Sequence, residues 1–170
     1  MNTTEYKLSK KLINFLFLYY GALLIACIIL SIRIFIALFD GINDNCILHL
    51  SFISSIISAI MMCSVNYIRK LYKNLIAGNV SIEEKDTAVL IGCFAYFFFR
   101  PFFAIALVII VIVAILSGAF MVIGSLDYII NQKFLFLCYV IAGFVGYSTG
   151  ITLDKFERIS KENINKVKES

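Results

Sequence analysis

The sequence predicts an all-α, polytopic transmembrane helical bundle: four spanning helices, plus an interfacial lead-in helix before the third. Three observations predict it. The 170-residue chain is 61% hydrophobic and 15% charged, where soluble domains carry about 25% charge. Its apolar residues gather in four long runs. Its lysines and arginines concentrate in alternate connections between those runs. A soluble domain of this size hides only about two-thirds of the surface its unfolded chain exposes. Lipid must therefore serve as solvent for much of this chain.

The first span is expected at 12–38, behind Lys7, Lys10 and Lys11. Leu24-Ile25-Ala26-Cys27 has the look of a lipoprotein processing box, but Ile28-Ile29-Leu30 stays apolar where a processed lipoprotein turns polar. Cleavage there would also break the charge pattern, so an uncleaved helix is expected. Arg33 lies toward the outer end of this run. A charge at the centre of a span costs about 2.5–3.5 kcal/mol on insertion scales, and less near the edge. Two roles compete for it. It snorkels to the outer headgroups, which its place about a turn and a half from the run's end favours. Or it faces the bundle and pairs with Asp40, Asp44, Asp127 or an anion.

The second span is expected at 47–68. His49, the only histidine, sits near its outer start and reads as an interfacial residue rather than a titrating switch. Ser51, Ser54, Ser55 and Ser58 follow the spacing i, i+3, i+4, i+7 and share one helix face. Such a face serves as a close-packing seam or lines a water path; small residues with hydroxyls that bond across helices favour the seam.

The third run, Ala88 to Gly124, is too long for one simple span and too short for two. Ser81 and Glu84 match a capping box, which starts a helix near Ile82. That helix reaches the aromatic stretch Tyr96-Phe97-Phe98-Phe99 and is kinked at Pro101, because proline lacks an amide proton and clashes with the preceding turn. The span proper is expected at 102–123, after a cytoplasmic loop at 69–99 that holds the lead-in helix on the membrane surface. Arg100, between Phe99 and Pro101, reads as an interface anchor beside an aromatic belt, held by cation–π contact. The alternative is headgroup recognition or a gate at the kink.

The fourth span is expected at 134–153. Ala142, Gly146 and Gly150 form a small-xxx-small stripe, the signature of close helix approach within or between protomers. The tail at 154–170 continues the helix, supported by acid-then-base pairs Asp154–Arg158, Glu157–Lys161 and Glu162–Lys166. It is either a solvated stub or a docking helix for a cytoplasmic partner.

Orientation follows from the positive-inside rule. Lys7, Lys10 and Lys11, then Arg69, Lys70, Lys73 and Lys85, then Lys155, Arg158, Lys161, Lys166 and Lys168 fall on one side if there are four spans. The other connections hold only Lys133. Both termini of a single membrane unit, 1–170, are thus expected in the cytoplasm, with the chain in the cell's inner membrane.

The net charge of +4 is accounted for by these flanks, so nucleic acid is not an expected partner. The five cysteines have no CxxC spacing and read as packing residues, so no metal or other cofactor is expected. No paired carboxylate lies within a span, and HExxH and phosphate-loop motifs are absent from the sequence, which disfavours a metalloprotease, a nucleotide-binding enzyme or a carboxylate-driven transporter. The expected function is non-enzymatic: helix–helix or partner contacts in the bilayer, as a homo-oligomer or with a membrane or cytoplasmic protein. Bacterial immunity, exclusion and phage-defence components share this size and topology. The alternative is a small oligomeric channel or transporter subunit.

Overall fold

Lipid offers no partner for backbone amides and carbonyls, so long apolar runs close their hydrogen bonds within helices. The computed structural model shows this arrangement. It describes residues 8–39, 44–76, 80–81, 87–117 and 132–169. Its helices are α1 (Lys10–Phe39), α2 (Asp44–Ile76), α3 (Thr87–Phe98), α4 (Arg100–Leu116) and α5 (Gln132–Glu169). Leu8–Ser9 (β1) and Val80–Ser81 (β2) form a two-residue parallel pairing; among the described residues every other element is helical.

Three helical stretches are long and apolar enough to cross a bilayer: Lys11–Phe39, Cys46–Lys73 and Gln132–Thr152, of 29, 28 and 21 residues. At about 1.5 Å per residue each exceeds the roughly 30 Å hydrocarbon core. Many large apolar side chains point outward, including Leu18, Ile25, Ile110 and Phe144. Water would penalise such a surface, whereas lipid solvates it. The chain is a helical membrane protein.

The third run departs from expectation. Helix α4 is apolar but has 17 residues, about 26 Å, short of a full crossing by itself. The expected span runs on to Ile123, and residues 118–131 lie outside those described. Ser81 pairs with Ser9 as strand, and the rest of the expected capping box and helix start, Ile82 to Glu84, lies outside the described residues. Within the stretch 69–99, α2 continues to Ile76 and α3 occupies Thr87–Phe98, where a lead-in helix is expected. The tail is helical to Glu169, although the side chains of its acid–base pairs lie outside the described set.

Helix α2 is the hub and packs against α1, α4 and, most extensively, α5. Successive long helices alternate in direction. Leu38 at the end of α1 meets Ile47 and Leu135 at the starts of α2 and α5. Ile115 at the end of α4 meets Phe134 and Cys138 of α5. The main core lies toward the other end, where Ile13, Leu16 and Tyr20 of α1 meet Cys63, Tyr67 and Leu71 of α2 and Phe97 of α3. The basic residues Lys11, Arg69, Lys70, Lys73 and Arg100 share that end, opposite Arg33 and Lys133.

Candidate functional site

The serine stripe and the glycine stripe meet each other. Ser51, Ser54, Ser55 and Ser58 are all buried, as is Ala142, and Ser58 lies against Gly143 of α5. Three of the serines bond their own helix. Ser51 Oγ donates to the Ile47 carbonyl at 2.7 Å, and Ser54 and Ser55 donate to the Ser51 carbonyl at 3.1 and 2.6 Å. Only Ser58 crosses the seam, donating to the Tyr139 carbonyl at 2.7 Å. Beyond it, a Cβ built on Gly146 would lie 2.2 Å from the Ala59 carbonyl oxygen, and one on Gly150 would lie 2.9 Å from the Tyr67 hydroxyl. At Gly146 the two backbones touch because the position carries no side chain, and at Gly150 the same lack makes room for the side chains of Tyr67, Lys70 and Asn66. Asn66 Nδ2 donates to the Tyr147 carbonyl at 2.8 Å, and Arg69 donates to the Tyr147 hydroxyl at 2.6 Å.

At the basic end of the same seam lies an aromatic box around Arg100. This side chain is 1% exposed, so it is not the interface anchor its neighbours in sequence suggest. Its guanidinium sits 3.8 Å from the Tyr96 ring centroid and 5.5 Å from that of Tyr67. Lys70 Nζ approaches the Tyr67 ring at 5.3 Å. A desolvated cation over ring faces gains about 2 kcal/mol or more. Burial also places Arg100 out of reach of a headgroup at the surface, the alternative role considered for it. Tyr67 stacks on Tyr20 at 5.5 Å and meets Phe97 edge-on at 6.0 Å.

The kink supplies the other half of this junction. Pro101 lies in the first turn of α4, and α3 ends just before it, at Phe98. Proline has no amide to offer the carbonyl four residues back, which is that of Phe97. The Tyr20 hydroxyl of α1 donates to that carbonyl instead. Tyr19 makes a longer contact, 3.4 Å, with the Phe98 carbonyl. Tyr19, Tyr20 and Tyr67 were not singled out from sequence. A signal existed, since a tyrosine inside an apolar run must find an acceptor beyond its own helix, and Pro101 leaves one open.

Arg33 and His49 are both exposed and both lie toward the end opposite the Arg100 box. Arg33 borders a groove of about 400 Å³ between α1 and α2, lined otherwise by Leu30, Ile34, Ile53, Ile56 and Ile57. Of its candidate acidic partners, Asp40 and Asp127 lie outside the described residues, as does the side chain of Asp44, which opens α2. Cys27, Cys63 and Cys138 are buried thiols and Cys46 is exposed. Among the described residues no three His, Cys, Asp or Glu side chains assemble as a metal-ligand set. No family model, characterised protein or solved structure matches this chain.

Proposed function

We propose that this chain is a four-span protein of the bacterial inner membrane, with both termini in the cytoplasm, and that it acts without catalysis through lateral contacts of its helices. The observation that carries this reading is the α2–α5 seam. The small and hydroxylated residues that a water path would use are enclosed between helices and bonded to carbonyls. What the bundle offers outward is apolar helix surface, such as Ile25, Ile28, Ile29 and Ile32 on α1. A fourth crossing by α4 is supported by its opposite direction to α5 and by the apolar residues Ala119 to Ile123 that follow it in sequence. The orientation is supported by the shared basic end of the helices. Immunity, exclusion or phage-defence roles are proposed within this class by likeness of size and topology.

Photo-crosslinking from Ile28, Ile29 and Phe144 in native membranes tests the reading. The expected result is one adduct of defined mass from one helix face: a second copy or a single partner. Purified protein that conducts ions in liposomes, with conduction blocked by bulky residues at Ser55 while the fold persists, would establish the channel instead. An impermeant maleimide should reach Cys46 from outside intact cells; labelling only after cell rupture would overturn the orientation.

A further inference from the structure

We propose that the groove beside Arg33 is a binding site for one membrane phospholipid, its phosphodiester on the Arg33 guanidinium and one acyl chain along the groove. The argument begins with depth. Arg33 stands six residues before the end of α1, so its Cα lies about 9 Å along the axis from that end. A long side chain extends its head from there toward the headgroups, its stem lying on apolar surface. The side chains of Asp40, Asp44 and Asp127 lie outside the described residues, and Arg33 itself is exposed on the groove's rim, open to the lipid phase. A cation in this setting takes whatever anion the bilayer provides. Phosphate fits best, because the planar fork of arginine meets two phosphate oxygens at once.

The groove selects the rest of the ligand. Its volume of about 400 Å³ lies at the lower end for small-molecule sites, and apart from Arg33 its lining is entirely Leu and Ile. That lining has nothing to hold a free phosphate but suits a hydrocarbon chain. The α2 side is one helical stripe, Ile53, Ile56 and Ile57, and His49 lies one turn outward on it. A polar ring thus stands on the headgroup side of the apolar slot. A second copy is a poorer occupant, since a two-fold contact through this face brings one Arg33 toward its symmetry mate within lipid.

The test is native mass spectrometry of protein released from nanodiscs of phosphatidylglycerol and phosphatidylethanolamine, with mapping of a phospholipid that carries a diazirine in its acyl chain. Wild type should retain one phospholipid and place the adduct at 30–34 and 53–57. Arg33→Gln should lower retention about tenfold, the effect of one lost charge-assisted hydrogen bond. Ile53→Trp should remove the adduct with Arg33 intact. Ile53 is already 52% exposed, so this change leaves the core untouched and decides the matter even if Arg33→Gln folds poorly. Arg69→Gln, at the other end, should change neither readout. The site is overturned if Ile53→Trp retains lipid as wild type does or if adducts spread evenly over α1 and α5. It is also overturned if millimolar inorganic phosphate displaces the lipid, or if the groove cross-links to a second copy.

Discussion

Gly146→Ala is the sharpest test of the packing. The added Cβ would sit 2.2 Å from the Ala59 carbonyl oxygen and 2.7 Å from its Cα, against a floor of 3.0 Å. The obstacle is backbone, so no side-chain rotation relieves it. The helices must part by at least 0.8 Å, the difference between 3.0 and 2.2. Overpacking of a tight contact costs about 1–3 kcal/mol. Parting also stretches the Ser58–Tyr139 and Asn66–Tyr147 bonds, each worth about 0.6 kcal/mol between membrane helices. The expected loss is about 3 kcal/mol. The assay is reversible unfolding in mixed micelles by a rising fraction of SDS, followed by circular dichroism and by the reactivity of Cys63 and Cys138, both buried in the fold. Gly21→Ala is the matched control: nothing lies within 4 Å of its Cβ, and alanine favours helix over glycine by about 0.8–1 kcal/mol. Wild-type stability in Gly146→Ala, or an equal loss in Gly21→Ala, would refute the argument.

Tyr20→Phe should cost about 1 kcal/mol through the loss of its hydrogen bond. The cost should shrink in a Pro101→Ala background, where an amide becomes available to the same carbonyl; a double-mutant cycle with no coupling would sever Tyr20 from the kink. Arg100→Met keeps bulk but removes the cation above Tyr96, and should lose about 2 kcal/mol by the same SDS titration. Ser58→Ala should lose about 0.6 kcal/mol, whereas Ser55→Phe, at a fully buried position, should lose about 1–3 kcal/mol. In folded protein Cys46 should react with maleimide while Cys27, Cys63 and Cys138 resist until SDS opens the bundle, a difference readable by mass.

The spans α1, α2 and α5 are legible in the sequence because the bilayer itself sets their length and apolar character. The kink is legible because a lone proline in a helical run has one effect on the backbone. The role of Arg100 is not. Phe99 and Pro101 beside it suggest the membrane surface, yet besides Tyr96 it faces the ring of Tyr67, 33 residues away on α2, and nothing local announces that. The glycine stripe shows the same division. Its spacing announces a close approach, but the facing residue, Ala59, is known only from the assembled bundle. The spacing of the serines puts them on one helix face, while the acceptors of their hydroxyls depend on rotamers that spacing does not determine.

Those acceptors bear on how the protein is made. A membrane helix enters the bilayer before it meets its neighbours, so its polar groups must be tolerable while it stands alone. Helix α2 meets that condition: Ser51, Ser54, Ser55 and Ser64 each donate to a carbonyl of α2 itself. The helix can thus wait in lipid, as synthesis continues, with these hydroxyls already satisfied. Ser58 and Asn66 are different, since their acceptors belong to α5, which emerges after α2. With Arg69, which donates to the Tyr147 hydroxyl, they make the arrival of α5 worth more than apolar contact alone, and they set its register when it docks.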